Sequence, residues 1–595
     1  MKRLIFSITM ASLLLTAIFY SCSKDFLNTE PTGSANSASL ATKKGVNALL
    51  IGAYHGLLGS GMQTNGWFGT WAWAGSVDNW VPGEVCSDDA TKGSDIGDQS
   101  PIVPCEDYTV VPSNEYVEGK WAASYDGIAR CNDVLKVLAN TSDMTDAEKV
   151  LVKAQTLFIR GWLHFELKRC YNMVPYIDET VDPKTVKNDV DIWPNIEADL
   201  QYAVDNLPES QTDLGRPTKY AAMAVLGRVK IFQQKWDEAA TLFDAIINSG
   251  KYSLMYNYDE NYLIATRNNA ESVFEIQYAV NDGTAESADG GYGASLNYPQ
   301  NVDGTGTCCG FYQPTQNLVN AFKVDANGLP LFTTFNDVNF KSDMGLKSTD
   351  PFAQDTVTAV DPRLDWTVGR RGVPFLDWGI MRGNDWIRDQ GNAGPYINKK
   401  NMFKKSEKGT YSTTTGWATG VNANNYRAYR LAHILLWRAE CAIESSANQN
   451  LELARSLINQ VRERASHTDH WVTGRCRTFV LTSQDGLSVD NTLYAANYQI
   501  GTYPSTGWTK DYAEQAVRWE LRLEFGMEGL RHYDLVRWGI AAQTINAYMV
   551  ADRNFRSLFG GVKPKSFTAG KNEYWPLPQT QIDLQPGILT QNPGY

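Results

Sequence analysis

Residues 218–249 read TKYAAMAVLGRVKIFQQKWDEAATLFDAIINS, and this stretch decides the fold class. A helix-forming run from Thr218 through Gln233 is followed by a turn at Gln234-Lys235. A second run then extends from Trp236 to Ser249, with Gly250 placed to cap it. The pattern is that of a helical hairpin.

Outward from this pair, three more hairpins emerge. Lys149 to Tyr171 places Leu151, Ala154, Leu157, Phe158, Gly161, Trp162 and Phe165 on one helical face. Its partner runs from Asp191 to Asn206 and is closed by Leu207-Pro208, since proline cannot continue a helix. Another pair spans Tyr426 to Ser445 and Leu451 to Ala465, striped by Leu453, Ala454, Leu457, Ile458 and Val461. The first pair joins Ala41–Leu58 to Gly119–Ala139 across a long insertion. Within the opening stretch, Trp236-Asp237-Glu238-Ala239-Ala240 followed by Phe243 has the spacing of the second helix of a tetratricopeptide unit. Periodicity vanishes at 60–118 and 251–420, where Gly, Asn, Asp, Pro and aromatic residues dominate. Loops this long and this aromatic are functional rather than disordered. The expected architecture is mostly α and a single unit over residues 40–595. Its helical scaffold covers about 40–58, 119–250 and 426–465, and irregular insertions with short strands cover about 60–118 and 251–420.

The chain of 595 residues is 43% apolar and 20% charged, an ordinary globular composition. Its net charge of −12 argues against nucleic acid, which requires a basic stripe. The start follows secretory logic: Lys2 and Arg3, an apolar run from Leu4 to Tyr20, then Ser21 before Cys22. This resembles a lipoprotein lipobox, although Phe19 and Tyr20 stand where Leu and a small residue are preferred. Residues 1–21 are read as a signal peptide, Cys22 as the acylated residue, and 22–39 as a flexible tether beginning Ser23-Lys24-Asp25. That beginning resembles the surface-export signal of Bacteroidetes lipoproteins. No later stretch approaches a spanning length.

Several motifs then carry a resemblance. The tail reads Tyr574-Trp575-Pro576-Leu577-Pro578-Gln579, Ile582-Asp583 and Gln591-Asn592-Pro593-Gly594-Tyr595. Upstream stand Arg518-Trp519-Glu520-Leu521-Arg522-Leu523-Glu524-Phe525, Glu528-Gly529, and Arg531 through Gly539. Asp78-Asn79-Trp80 and Ser87-Asp88-Asp89-Ala90 occur near the start, and Arg430 through Glu440 precede the last hairpin. With these motifs the chain resembles the SusD/RagB family over nearly its whole mature length, and 512–595 resembles the family's C-terminal signature. The resemblance implies four tetratricopeptide-type hairpins, an outer-membrane location facing the cell exterior, and a lid role over a SusC-like TonB-dependent barrel that admits oligosaccharide. The expectation that the protein is not an enzyme rests on the absence of catalytic motifs. The same fold binding peptide, glycopeptide or another nutrient is the alternative, with a surface glycoside hydrolase behind it.

The residues themselves contain no HExxH, GxSxG or P-loop, and Gly290-Gly291-Tyr292-Gly293 lacks the flanks of a phosphate site. Glu520, Arg522, Glu524, Glu528 and Arg531 alternate in sign, which favours salt-bridged faces over a catalytic carboxylate pair. Sugar binding needs exposed rings beside planar polar groups. Trp67, Trp71, Trp73 and Trp80 fall in a Gly-rich loop and compete as stacking platforms or as a packed cluster; Trp80, beside Asp78, is the first choice. Cys308-Cys309 either close a vicinal disulfide, a flat surface for a sugar face, or remain separate thiols. Arg370 and Arg371 supply a candidate guanidinium clamp, with Trp378 and Tyr396 nearby in sequence. No cofactor is called for, and a structural calcium ion on Asp88 and Asp89 is an alternative without EF-hand spacing. The expected ligand is a neutral oligosaccharide.

Overall fold

Small residues at helix crossings and polar caps at helix starts explain how the scaffold stacks. In the computed structural model, residues 37–59, 70–283, 289–301, 309–414, 420–476, 489–556 and 566–595 are described. Helix α1 (Lys43–Gly56) packs on α2 (Glu115–Ala139), and α3 (Asp146–Tyr171) on α4 (Trp193–Asn206). Helix α5 (Lys219–Phe232) packs on α6 (Trp236–Asn248), and α7 (Leu431–Glu444) on α8 (Leu451–Ala465). Successive pairs touch as well, α2 on α3, α4 on α5 and α6 on α7, so the four hairpins form one continuous array. Thr145 caps α3 by accepting from the Glu148 amide while the Glu148 carboxylate accepts from the Thr145 amide at 2.9 Å. Thr218 and Asn450 cap α5 and α8 in the same sense, each such cap stabilising by about 1 kcal/mol. At the α5–α6 crossing a Cβ on Gly227 would lie 2.4 Å from the Phe243 ring, so only glycine lets the helices close.

Helix starts shift by a few residues, α2 to Glu115 and α3 to Asp146, and one segment changes type. Tyr426–Arg430 is a strand, and α7 begins only at Leu431. The Tyr-Arg-Ala-Tyr-Arg segment carries two aromatic residues in five and finds a ladder partner upstream, which outweighs its helical periodicity. Short strands β1 (Ala90–Gly93), β2 (Ser272–Ile276), β3 (Phe311–Pro314) and β4 (Tyr426–Arg430) pair antiparallel as β1–β3 and β2–β4. The β1–β3 pair ties the two insertions to each other, and β2–β4 ties the second to the scaffold. The last residues of the expected tether belong to a helical turn, Ser37–Leu40.

After the scaffold come α9 (Lys510–Phe525), which lies against α7 and α8, then α10 (Arg531–Arg537) and α11 (Ala541–Arg556). The tail closes the end of α3: the Trp575 amide donates to the Cys170 carbonyl at 2.9 Å and Asn592 Nδ2 to the Tyr171 carbonyl at 2.7 Å. These bonds satisfy helix-end carbonyls that would otherwise be orphaned. One hydrophobic core runs from Val46 to Leu589 through scaffold and insertions alike. Among the described residues no helix is long and apolar enough to cross a membrane.

Candidate functional site

Three charged residues of α9, Glu520, Arg522 and Glu524, point inward. Glu520 and Glu524 are both 0% exposed. Glu520 receives Arg363 at 2.5 Å and Arg462 at 2.9 Å. Glu524 receives Arg430 at 2.6 Å, Arg363 at 3.0 Å and also Arg464. Glu271 closes the lattice by accepting from Arg430 at 2.9 Å and Arg464 at 3.1 Å. Burial alone would raise the Glu524 carboxyl; Arg464, Arg430 and Arg363 outweigh it and hold it well below the ordinary carboxylate range. The alternation in sign is therefore salt-bridged, and its pairs form a buried ion lattice.

A second cluster joins the first insertion to α9 and α10. Arg522 donates to Asp89 at 2.8 Å and pairs with Asp88 at 2.9 Å, and Arg531 donates to Asp88 at 2.9 Å. Burial disfavours the Asp88 charge, but the two guanidinium groups bring its carboxyl down to about 2. These arginines occupy the carboxylates proposed for calcium, which corrects that alternative. Among the described residues no group of three His, Cys, Asp or Glu side chains is placed to hold a metal. Glu84 accepts the amides of Met527 at 2.9 Å and Leu530 at 3.0 Å, clamping the turn after α9 onto the insertion. Burial and neighbouring Asp89 push its carboxyl up to about 8.

That clamp brings together residues some 450 positions apart. Gly529 has φ +77°, and a Cβ there would lie 1.7 Å from the Asp78 carbonyl oxygen. Beside this contact a small cavity of about 70 Å³ opens to solvent, lined by Asp78, Tyr262, Tyr278, Tyr312, Lys400, Asn422, Asn424, Asn425, Tyr426 and Glu528. Its floor is bolted to the ion lattice: Glu528 Oε1 accepts from Lys400 at 2.8 Å and from Arg430 and Tyr262, each at 3.0 Å. Asn425 is oriented by donating to Glu275 at 2.9 Å and accepting from the Tyr278 amide at 3.0 Å. Asn422 donates to the Tyr298 hydroxyl at 2.7 Å.

Other groups on the cavity wall are left open. The Tyr312 hydroxyl is buried and has no hydrogen-bond partner among the described residues. Asp78 Oδ1 accepts from Ser76 at 2.6 Å and from the Trp80 amide at 3.3 Å, while Oδ2 makes no hydrogen bond to another described residue. Burial raises the Asp78 carboxyl above its ordinary value. Three residues here hold left-handed backbone, Asn79 and Tyr312 at φ 52° and Met527 at φ 67°. Such conformations cost roughly 1–3 kcal/mol each in a bulky residue and collect at functional sites. Rings, planar amides and unsatisfied hydroxyl and carboxyl oxygens together suit a ligand rich in hydroxyl groups.

Of the residues expected from sequence, Asp78 lines this cavity. Most of the others are structural, and the expectation is corrected for them. Trp80 is 0% exposed and packs on Phe311 and Tyr312 with ring centroids 6.3 and 5.8 Å away, so it backs Tyr312 instead of stacking on a ligand. Trp73 is buried and donates to Ser295 at 3.0 Å. Arg370 is locked in a two-bond fork on Asp365, at 2.6 and 2.8 Å, and buried Arg371 donates to the Ser348 and Asp350 carbonyls at 2.8 and 2.7 Å. Neither guanidinium is offered as a clamp. Trp378 donates to the Phe403 carbonyl at 2.7 Å and Tyr396 to Gln316 at 2.9 Å, both from within the core. Cys309 is disulfide-bonded and buried. Cys22, Trp67 and Cys308 lie outside the described residues, as does the Trp71 side chain on the short helix Thr70–Ala74. Sequence reasoning missed Tyr262, Tyr278 and Lys400; the one available signal was the amide cluster Asn422-Ala423-Asn424-Asn425-Tyr426 before a strand.

Comparison with known proteins gives this geometry a context. A family model described as "SusD family" matches residues 270–595, and one described as "Starch-binding associating with outer membrane" matches 25–231. SusD-like protein P2 of Formosa agariphila is 24% identical over 522 residues, 84% of this chain and 86% of that protein. Surface glycan-binding protein A of Bacteroides fluxus superposes with a TM-score of 0.64 at 22% identity, covering 93% of this chain and 99% of its own. Surface glycan-binding protein A of Bacteroides thetaiotaomicron, in complex with laminarihexaose, gives a TM-score of 0.65 at 20% identity with the same coverage of 93% and 99%.

Proposed function

This chain belongs to the SusD family, and from that premise we propose that it is a cell-surface lipoprotein that captures oligosaccharide in the cavity between Asp78 and Glu528 and delivers it to a SusC-like TonB-dependent transporter. Cys22 is the anchor in this reading, holding the protein at the outer membrane, the location named by the second family description. The observation that carries capture is the cavity wall: tyrosine rings, fixed amides and an unpartnered phenol and carboxyl oxygen, matched to C–H faces and hydroxyls. Relatives whose names record glycan binding, one of them bound to laminarihexaose, support it.

Binding without hydrolysis is the second element of the proposal. Of the two carboxylates on the cavity wall, Glu528 is braced by Lys400, Arg430 and Tyr262 and serves the fold. A glycosidase needs both members of its pair facing the scissile bond. Affinity electrophoresis against a panel of neutral plant and microbial polysaccharides, followed by a reducing-end assay on those that retard the protein, tests both elements. Retardation by at least one polysaccharide with no new reducing ends after overnight incubation is expected. Release of reducing ends would replace capture by hydrolysis, and no retardation by any polysaccharide would turn the reading toward peptide or another nutrient.

A further inference from the structure

We infer that the cavity selects uncharged sugars and that Asp78 is the residue that turns anionic ones away. The inference rests on the glycan-capture reading and adds the ligand's charge class to it.

Among the described residues two cations line the cavity, and both are engaged by the protein. Lys400 donates to Glu528 at 2.8 Å and to the Glu524 carbonyl at 3.2 Å, and its ammonium lies 4.6 Å from the centre of the Tyr262 ring. Arg427 faces Glu275 at 3.4 Å through Nε and donates to the carbonyls of Asn425 at 2.8 Å and Leu263 at 2.5 Å, and to the Asn424 side chain. A carboxylate or sulfate on an entering sugar would have to pull one of these cations off an existing acceptor, leaving Glu528 or Glu275 with one donor fewer.

Asp78 is in the opposite position. No ion pair holds it among the described residues, and Lys120, whose field reaches it, is paired with Glu166 at 3.3 Å. Asp78 lines the same cavity as Tyr312, whose hydroxyl has no partner among the described residues. A sugar hydroxyl both donates and accepts, so adjacent hydroxyls on an uncharged ring can satisfy the carboxylate and the phenol together. An anionic group can satisfy only the phenol, and it meets like charge at close range in a weakly screened site. Rejection by an unpaired polar group is a stronger filter than shape alone.

The test uses one oligosaccharide pool in two forms. Neutral oligosaccharides are prepared by partial hydrolysis of several polysaccharides, and half the pool is oxidised at its primary hydroxyls to uronates, which adds charge with little change in shape. Both halves are passed over immobilised full-length protein and over Asp78→Asn and Tyr278→Ala at equal density, and retained species are quantified by mass spectrometry. The unmodified protein is expected to prefer the neutral form by at least about tenfold, and Asp78→Asn to lose most of that preference. Tyr278→Ala should weaken both halves alike and leave their ratio unchanged. Equal retention of the two halves by the unmodified protein, or an unchanged ratio in Asp78→Asn with a native melting temperature, overturns the selectivity. Retention of neither half removes the glycan reading itself, and the selectivity with it.

Discussion

Glu524 and Glu528 stand four positions apart, yet they belong to regions that handle polarity in opposite ways. Around Glu524 each carboxylate oxygen meets a guanidinium, and Arg363, Arg430, Arg462 and Arg464 share Glu271, Glu520 and Glu524 among them. Beyond Glu528 the wall carries Asp78, one oxygen of which makes no hydrogen bond to another described residue, and Tyr312, whose hydroxyl has no partner among the described residues. Carboxylates with both oxygens paired make structure, because those oxygens have nothing left to offer a ligand. Unsaturated polar groups, held in place by strained backbone and by bolts to the lattice, are where recognition can occur. Glu528 links the two regions through Arg430 on one side and Lys400 on the other.

The comparison breaks most severely at Glu524. Glu524→Ala leaves Arg363, Arg430 and Arg464 facing a hole and should cost about 3–5 kcal/mol in denaturant unfolding, with any loss of glycan retention tracking the loss of folded protein. An intact unfolding midpoint would show that the lattice is not structural.

Asp343 sharpens the contrast, since it is a buried carboxyl with too little compensation. Burial, only partly offset by Arg371, brings it up to about 7, and Oδ2 has no partner. The folded state therefore keeps a proton that the unfolded chain releases near 4, so this group's contribution to stability falls as pH rises from about 4 to about 7. Asp343→Asn is expected to stabilise the protein by roughly 2–4 kcal/mol at pH 8 and to have little effect at pH 4. Melting curves at the two pH values check this; a gain independent of pH would rule out titration of Asp343 as its source.

Tyr312→Phe gives the smallest change in stability. It removes a hydroxyl that the folded protein leaves unsatisfied, so stability should stay level or rise by up to about 1 kcal/mol, while retention by a bound polysaccharide falls several-fold. A clear loss of stability would mean that the hydroxyl is satisfied within the protein.

The scaffold was legible in the sequence because its signals are local. The 218–249 hairpin follows from a cap, a turn and a stripe, and it folds as Lys219–Phe232 and Trp236–Asn248. Tyr426–Arg430 misled because its ladder partner lies about 150 positions upstream, beyond the reach of any periodicity. The site suffered more from the same cause. Trp80 and Arg370 have the residue types of a sugar site, but whether a ring or a guanidinium faces ligand or core depends on Phe311 and Asp365 in the folded chain. Asp78 was legible through its neighbours in sequence. Tyr262, Tyr278 and Lys400 became functional candidates only once β2–β4 pairing and the Glu84 clamp brought their segments together.

The central claim is that the cavity, and not the lattice or the buried tryptophans, holds the ligand. Its most direct test is retention of folded Tyr278→Ala in a gel containing a polysaccharide that retards the unmodified protein. Loss of one ring from the wall should reduce retention about tenfold while the melting temperature shifts by no more than a few degrees. Retention equal to that of the unmodified protein would contradict the account.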